Sequence, residues 1–220
     1  MKICILIPGY NESRTISQVV SNARKVIDDI VVVDDGSKDN TAQLAQASGA
    51  TVLKHEVNKG KGAALKTGFD YVIKNGYDAV ITMDSDGQHD PNDVYTFLNA
   101  TNKFKSGIII GSRMNDISNM PAVRKCTNKL TSYINSTLAH QRIDDSQSGF
   151  RLITTDVLKT VKLETDRFET ESEILIKASK AGFRIISVPI KTIYGEEKSK
   201  IRPIKDTLTF IRLFFRSLHW

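Results

Sequence analysis

Cysteine is nearly absent from this chain. Cys4 and Cys126 are its two cysteines in 220 residues. They lie far apart and without metal-type spacing, which excludes a disulfide framework and a paired-cysteine zinc site, and a reducing, cytosolic setting is expected. Long apolar runs are missing too, and none approaches the roughly 18 residues that a membrane span requires. Met1 leads directly into an apolar strand pattern, KICILIP, and not into a signal-peptide pattern. No G-x-G-x-x-G follows the first strand, and G-x-x-x-x-G-K-[ST] is absent, so nicotinamide and P-loop chemistry are disfavoured. There is no G-x-S-x-G, and His55, His89, His140 and His219 are scattered, which argues against a Ser-His-Asp hydrolase. Repeats, low-complexity tracts and clear linkers are absent.

What is present is an ordinary soluble balance, 40% hydrophobic and 25% charged, with a net charge of +6. A basic excess suits phosphate-bearing ligands or anionic membranes. Basic residues gather late in the chain, from Lys191 to Arg216, but without an aromatic-interleaved groove or a nucleic-acid motif, so nucleic acid is not an expected partner. Strand-like and helix-like segments alternate. Strands are predicted over 2–7, 30–34, 51–54, 79–83, 107–111, 149–153 and 184–193. Helices are predicted over 15–28, 40–48, 61–74, 92–100, 121–138, 170–181 and 203–219. Strands apolar on both faces, alternating with helices, predict an α/β fold: one Rossmann-like domain with a mainly parallel central sheet.

Ligands of such sheets sit beyond the carboxyl ends of the strands. Polar or glycine-rich segments follow each of the first five strands: PGYNES (8–13), DDGSKDNT (34–41), NKGKGAA (58–64), DSDGQHD (84–90) and GSRM (111–114). The fourth is the most telling. Turn chemistry explains Asp90, Pro91 and Gly87. It does not explain Asp84 and Asp86, two like charges about 6–7 Å apart at a strand end, unless a hard cation reconciles them.

The order of these segments, together with DSQSGFR at 145–151, resembles that of the family-2 glycosyltransferases, within them the dolichyl-phosphate mannose synthase-like branch. The resemblance covers about residues 2–205 and implies a GT-A fold, a GDP- or UDP-hexose donor and Mg²⁺ or Mn²⁺. Residues 1–111 would form the nucleotide-sugar half and 112–205 the acceptor half. By resemblance Asp84, Asp86 and Gln88 are the metal positions. Pro8, Tyr10, Glu12, Val33 and Asp35 match positions that hold base and ribose, while Asp34 orients the loop. Ser85 and Lys61 join the donor site, with Lys61 meeting a phosphate. Arg113 and Arg124 match arginines that serve phosphates, Arg202 looks like a third, and Asp145 and Ser148 shape the acceptor side. Glu173 fits an acidic position best, either as a base or as a brace for a basic side chain.

The expected reaction is an inverting, metal-dependent transfer of a hexose, mannose or glucose, to a polyprenyl phosphate. A lipid phosphate is already ionised and needs cations, not a base, and arginine's planar fork suits that task. The alternatives are transfer to a saccharide hydroxyl, with Glu173 or Asp145 as base, and a non-catalytic nucleotide-sugar-binding membrane adaptor. Many relatives in that branch carry C-terminal membrane spans, and no such span is read in the sequence through Trp220. Residues 206–220 instead read as an amphipathic helix, either packed on the core or lying on the cytoplasmic membrane surface.

Overall fold

The computed structural model of the chain describes residues 1–103, 107–114, 117, 120, 122–191 and 216–217. The alternation of the sequence is realised as β1 (Ile3–Gly9), α1 (Ile16–Ala23), β2 (Ile30–Asp34), α2 (Thr41–Ala47), β3 (Thr51–Lys54), α3 (Lys61–Lys74) and β4 (Ala79–Thr82), then α4 (Val94–Lys103), β5 (Ile108–Ser112), α5 (Ala122–Ala139), β6 (Arg151–Thr154), α6 (Thr155–Thr160), α7 (Thr170–Lys180) and β7 (Ile185–Pro189). A short 3-10 turn, Pro91–Asp93, leads into α4, its first free N–H taken by the Asp90 side chain. Arg202 and the expected tail helix, apart from Arg216 and Ser217, lie outside the described residues, as do positions 192–193 of the last expected strand.

The strands form one seven-stranded sheet in the order β3-β2-β1-β4-β6-β5-β7. All pairings are parallel except those of β6, which runs antiparallel to both β4 and β5. The sequence did not reveal that reversal, nor the short helix α6, because a buried strand reads the same in either direction. The consequence is positional: β6 has its amino end, not its carboxyl end, at the rim where β1, β2 and β4 finish.

Apolar side chains cover both sheet faces. Cys4, Leu6, Val31 and Val33 pack with Leu65 and Phe69 of α3, Val157 of α6 and Leu175 of α7. Ile5, Ile7, Val32 and Ile81 pack on the other face with Ile16 and Val20 of α1, Ala45 of α2 and Phe97 of α4. This two-sided burial is what let the strands be read as continuous apolar runs. None of the described helices is long and apolar enough to cross a membrane.

Candidate active site

The loops at the carboxyl rim are tied to one another. Asn11 sits in the left-handed region, φ 55°. Its N–H donates to Ser37 Oγ at 2.9 Å, and its side-chain oxygen accepts the Lys38 N–H at 2.9 Å. Glu12 N–H donates to Thr41 Oγ1 and Ser13 N–H to Asp39. Burial raises the Asp39 carboxyl, but the hydrogen bonds from Thr41 and Ser13 outweigh it and lower the carboxyl to about 2. Pro8, the last residue but one of β1, stands opposite Val33. Tyr10 stands on the rim, 40% exposed.

Two of the expected donor-site residues, Val33 and Asp35, carry side chains that the fold already packs or partners. Val33 is fully buried in the core, so its side chain is not available to a ligand. Asp35, expected to meet base or ribose, is sealed: its carboxylate accepts the N–H groups of Lys59 and Gly60 at 2.9 and 2.7 Å and lies 2.7 Å from His55 Nδ1. The other His55 nitrogen lies 2.9 Å from Thr67 Oγ1. Asp35 therefore clamps the second loop to the start of α3. Asp34, assigned to loop orientation, accepts the Ser37 N–H through Oδ1, while its buried Oδ2 has no protein partner among the described residues.

At the centre of the rim stands Lys61, the first residue of α3. Its ammonium lies 2.6 Å from Asp84 Oδ1 and 3.1 Å from Glu171 Oε1. Burial pushes the ammonium's pKa down, but the two carboxylates outweigh it and hold it well above the ordinary lysine value. Burial likewise raises Asp84, and the charge of Lys61 with the hydrogen bond from His89 brings it well below the ordinary carboxylate value. His89 Nε2 is 3.3 Å from Asp84 Oδ2, and the ring is stacked obliquely on Phe150. Asp86 closes a local turn by accepting the Gln88 N–H at 3.0 Å. Ser85 is buried, and its carbonyl accepts the Thr15 hydroxyl. Against Asp84 lies Gly149, where a Cβ would come within 2.6 Å of both carboxylate oxygens. The glycine leaves the space that the carboxylate fills.

The acceptor half is built around a second ion pair. Arg113, just past β5, donates through Nε and Nη2 to the two oxygens of Asp145 at 2.8 and 3.0 Å, and through its backbone N–H at 3.1 Å. Asp145 is fully buried and also accepts from Asn128 of α5. Burial raises its carboxyl, but Arg113 and Asn128 bring it below the ordinary value. Ser148 is fully buried in the same loop. Arg151, 1% exposed, donates to the carbonyls of Ser146, Ser148 and Glu171 and stitches this loop to α7. Arg124 is half-buried near the start of α5.

The catalytic expectation for Glu173 is corrected. Its side chain is fully buried and accepts the backbone N–H groups of Glu164 and Thr165, the Thr165 hydroxyl and the Lys177 ammonium. It is the brace of the two roles considered. The acidic side chain of α7 that reaches Lys61 is Glu171.

Among the described residues, no group of three His, Cys, Asp or Glu side chains converges as a self-sufficient metal centre. A hard divalent ion that is also bound by a diphosphate needs only one or two protein carboxylates. Asp84 fits that requirement, since its carboxylate already faces a cation, the ammonium of Lys61.

The profile of glycosyl transferase family 2 matches residues 4–161. The chain belongs to this family. It is 36% identical over 239 residues to the UDP-N-acetylglucosamine–dolichyl-phosphate N-acetylglucosaminyltransferase of Methanococcus voltae, covering 98% of this chain and 94% of the relative. It is 28% identical over 209 residues to the undecaprenyl-phosphate mannosyltransferase of Micrococcus luteus, covering 89% and 85%. Its fold is similar to that of Mycobacterium tuberculosis glucosyl-3-phosphoglycerate synthase, solved with Mn²⁺, UDP and phosphoglyceric acid. The TM-score is 0.73, with 20% identity and coverage of 99% of this chain and 77% of that one. The architecture is GT-A.

Three residues of this glycosyltransferase's rim had no assigned role in the sequence reading, His89, Arg151 and Glu171, while Gly149 was read only as a residue that allows close backbone approach. The pair Glu173–Lys177 offered a usable signal. Carboxylate and lysine four apart on a helix engage each other, which marks Glu173 as already partnered and leaves Glu171 for the rim.

Proposed function

We propose that this glycosyltransferase moves a hexose or N-acetylhexosamine from a GDP- or UDP-linked donor to a polyprenyl phosphate, with inversion at the anomeric carbon. Residues 1–111 hold the donor and 112–205 the acceptor, at the cytoplasmic face of a membrane. The names of the relatives point to lipid phosphates as acceptors. One structural observation carries the choice: among the described residues, the two fully buried carboxylates of the acceptor half are held by cations, Asp145 by Arg113 and Glu173 by Lys177, and the partly exposed Glu171 is held by Lys61. None is poised to take a proton from a hydroxyl, and an ionised phosphate has no proton to give.

The donor diphosphate enters over Lys61, between the loops after β1, β2 and β4. Asp84 and Asp86, with Gln88, are the residues that would hold Mg²⁺ or Mn²⁺, which when bound supplies charge neutralisation on the diphosphate. As the diphosphate arrives, Lys61 exchanges carboxylate partners for phosphate oxygens. Arg113 and Arg124 meet the acceptor phosphate, with Asp145 fixing the plane of the Arg113 guanidinium. An oxygen of that phosphate forms the new bond to the anomeric carbon. The bond from that carbon to the donor diphosphate breaks, and its electron pair leaves with the nucleoside diphosphate. No proton transfer is required.

The test is a panel of GDP- and UDP-sugars with Mn²⁺, with and without polyprenyl phosphate, scored by nucleotide release and by labelled glycolipid. Lipid-dependent release with one donor is expected. Release that depends on a saccharide and not on the lipid phosphate would replace this acceptor. Binding of sugar nucleotides without turnover on any acceptor would reduce the chain to an adaptor.

A further inference from the structure

Glu169, Glu171 and Glu173 open α7, and the fold uses the last two differently. Glu173 is buried against Thr165 and Lys177. Glu171, with its side chain 14% exposed, reaches Lys61 at 3.1 Å, although that ammonium already has Asp84 at 2.6 Å. One carboxylate suffices to pair a lysine, and a second beside the first adds like-charge repulsion. The backbone is nevertheless shaped to bring it there. A Cβ on Gly62 would overlap Thr170 Oγ1, and one on Gly60 would lie 2.5 Å from the Asp166 carbonyl oxygen. The Ala63 N–H donates to that same carbonyl at 3.0 Å. Arg151 Nη1 donates to the Glu171 carbonyl at 2.6 Å. The two glycines flanking Lys61 thus admit the start of α7 against the start of α3. A diphosphate gives no reason for that fit, since it needs the ammonium and not a second carboxylate.

We infer that Glu171 is the second seat of the Lys61 ammonium, a positioning residue that takes over this cation when a divalent ion occupies Asp84. The inference rests on the metal role given to Asp84 in the proposed reaction. An ammonium 2.6 Å from Asp84 Oδ1 and a divalent ion on the same carboxylate repel each other. The Lys61 side chain, 19% exposed, has little water to retreat into, and a desolvated, unpaired ammonium is costly. Glu171 removes that conflict. The ammonium shifts toward Glu171 Oε1, stays paired, and stays over the rim where the diphosphate enters. When phosphate oxygens then take the ammonium, Glu171 keeps favourable surroundings as an anion, because it lies in the first turn of α7. Through one side chain, the acceptor half makes room for the ion of the donor half.

The experiment is a Mn²⁺ titration of the full chain without nucleotide, read by electron paramagnetic resonance. The wild type is compared with Glu171→Gln, Lys61→Met and the double variant, with Asp84→Asn as the control for the site. With its second seat removed, the ammonium stays on Asp84, so Glu171→Gln should weaken Mn²⁺ binding by about tenfold. In the Lys61→Met background the same substitution should cost at most about threefold, because no ammonium has to be moved. Thermal melts check that each variant is folded, and Glu171→Ser gives a second test of the same position. An equal loss in both backgrounds would overturn the inference and reduce Glu171 to a brace of α7. A larger loss without the lysine would overturn it too, and make Glu171 a direct source of charge for the ion. Mn²⁺ binding as tight in Asp84→Asn as in the wild type would remove the ion from Asp84 and the inference with it. The acceptor is judged separately: if the coupling appears but nucleotide release does not depend on polyprenyl phosphate, the acceptor reading fails and the role of Glu171 stands.

Discussion

Gly149→Ala is the most demanding perturbation the rim offers. An added Cβ would lie 2.6 Å from both oxygens of Asp84 and 2.9 Å from its carboxyl carbon. Ordinary contact begins near 3.4 Å, so the carboxylate must retreat by roughly 0.8 Å. The glycine itself cannot yield easily. Its carbonyl accepts the Thr82 hydroxyl at 2.7 Å, and its neighbours Ser148 and Phe150 are fully buried. Asp84 therefore moves, and with it the 2.6 Å contact to Lys61. Misplacement of a functional group by about 1 Å costs about 10²-fold, or roughly 2.7 kcal/mol of barrier. The crowding should destabilise the fold by about 1–3 kcal/mol, a shift of several degrees in a domain of this size. The assay is donor- and Mn²⁺-dependent release of nucleoside diphosphate, with a thermal melt to show that the variant is folded. A folded Gly149→Ala enzyme that turns over within about twofold of wild type would refute the role given to Asp84.

Asp86→Ala should abolish metal-stimulated turnover with little change in the thermal midpoint, and a variant still stimulated by Mn²⁺ would remove Asp86 from the metal set. Glu173→Gln should do the opposite. It places an amide N–H against donors and leaves Lys177 without its buried partner, so a stability loss of about 2–3 kcal/mol is expected in urea melts, with turnover per folded molecule unchanged. A loss of orders of magnitude in rate would restore Glu173 as a base. Lys61→Met should raise Mn²⁺ affinity in the absence of nucleotide by about tenfold, read by electron paramagnetic resonance, while weakening donor binding, because the cation opposing Asp84 is gone. Equal metal affinity in the two proteins would show that the ammonium does not oppose the ion. The Asp145 carboxyl has a lowered value in the folded protein, so its contribution to stability is present above the ordinary aspartate value of about 3.9 and is lost as pH falls through the lowered one. Urea midpoints should fall below about pH 4, and Asp145→Asn should be weaker at neutral pH with a shallower acid limb. An acid limb of the same steepness in the variant would count against this assignment.

The parallel half of the fold was legible because each of its strands is buried on both faces and each loop beyond it carries distinctive chemistry. Asp84 and Lys61 stood out for that reason. Direction was not legible: nothing in RLIT distinguishes an antiparallel strand from a parallel one. Partnership was legible only in part. Asp34 and Asp35 are neighbours with identical chemistry, and the one expected to face a ligand is claimed by the N–H groups of residues 59 and 60, a long-range contact with no local signature. Glu171 and Glu173 differ in the same way, by which one the fold partners first. Gly149 was visible as a residue allowing close approach, but what approaches it depends on β6 meeting β4 head-on.

That meeting has a consequence for how the two substrates sense each other. Thr82, at the last position of β4, donates to the carbonyl of Gly149, and Gly149 lies between the Asp145 loop and Asp84. In the proposed reaction, a shift of the Asp145 loop on the acceptor side would reach Asp84 on the donor side through Gly149. Binding free energies must then be linked in both directions: whatever the lipid does to the hold on the donor, the donor does equally to the hold on the lipid. In the proposed reaction the reversed strand thus makes the coupling between the two substrates a property of the sheet.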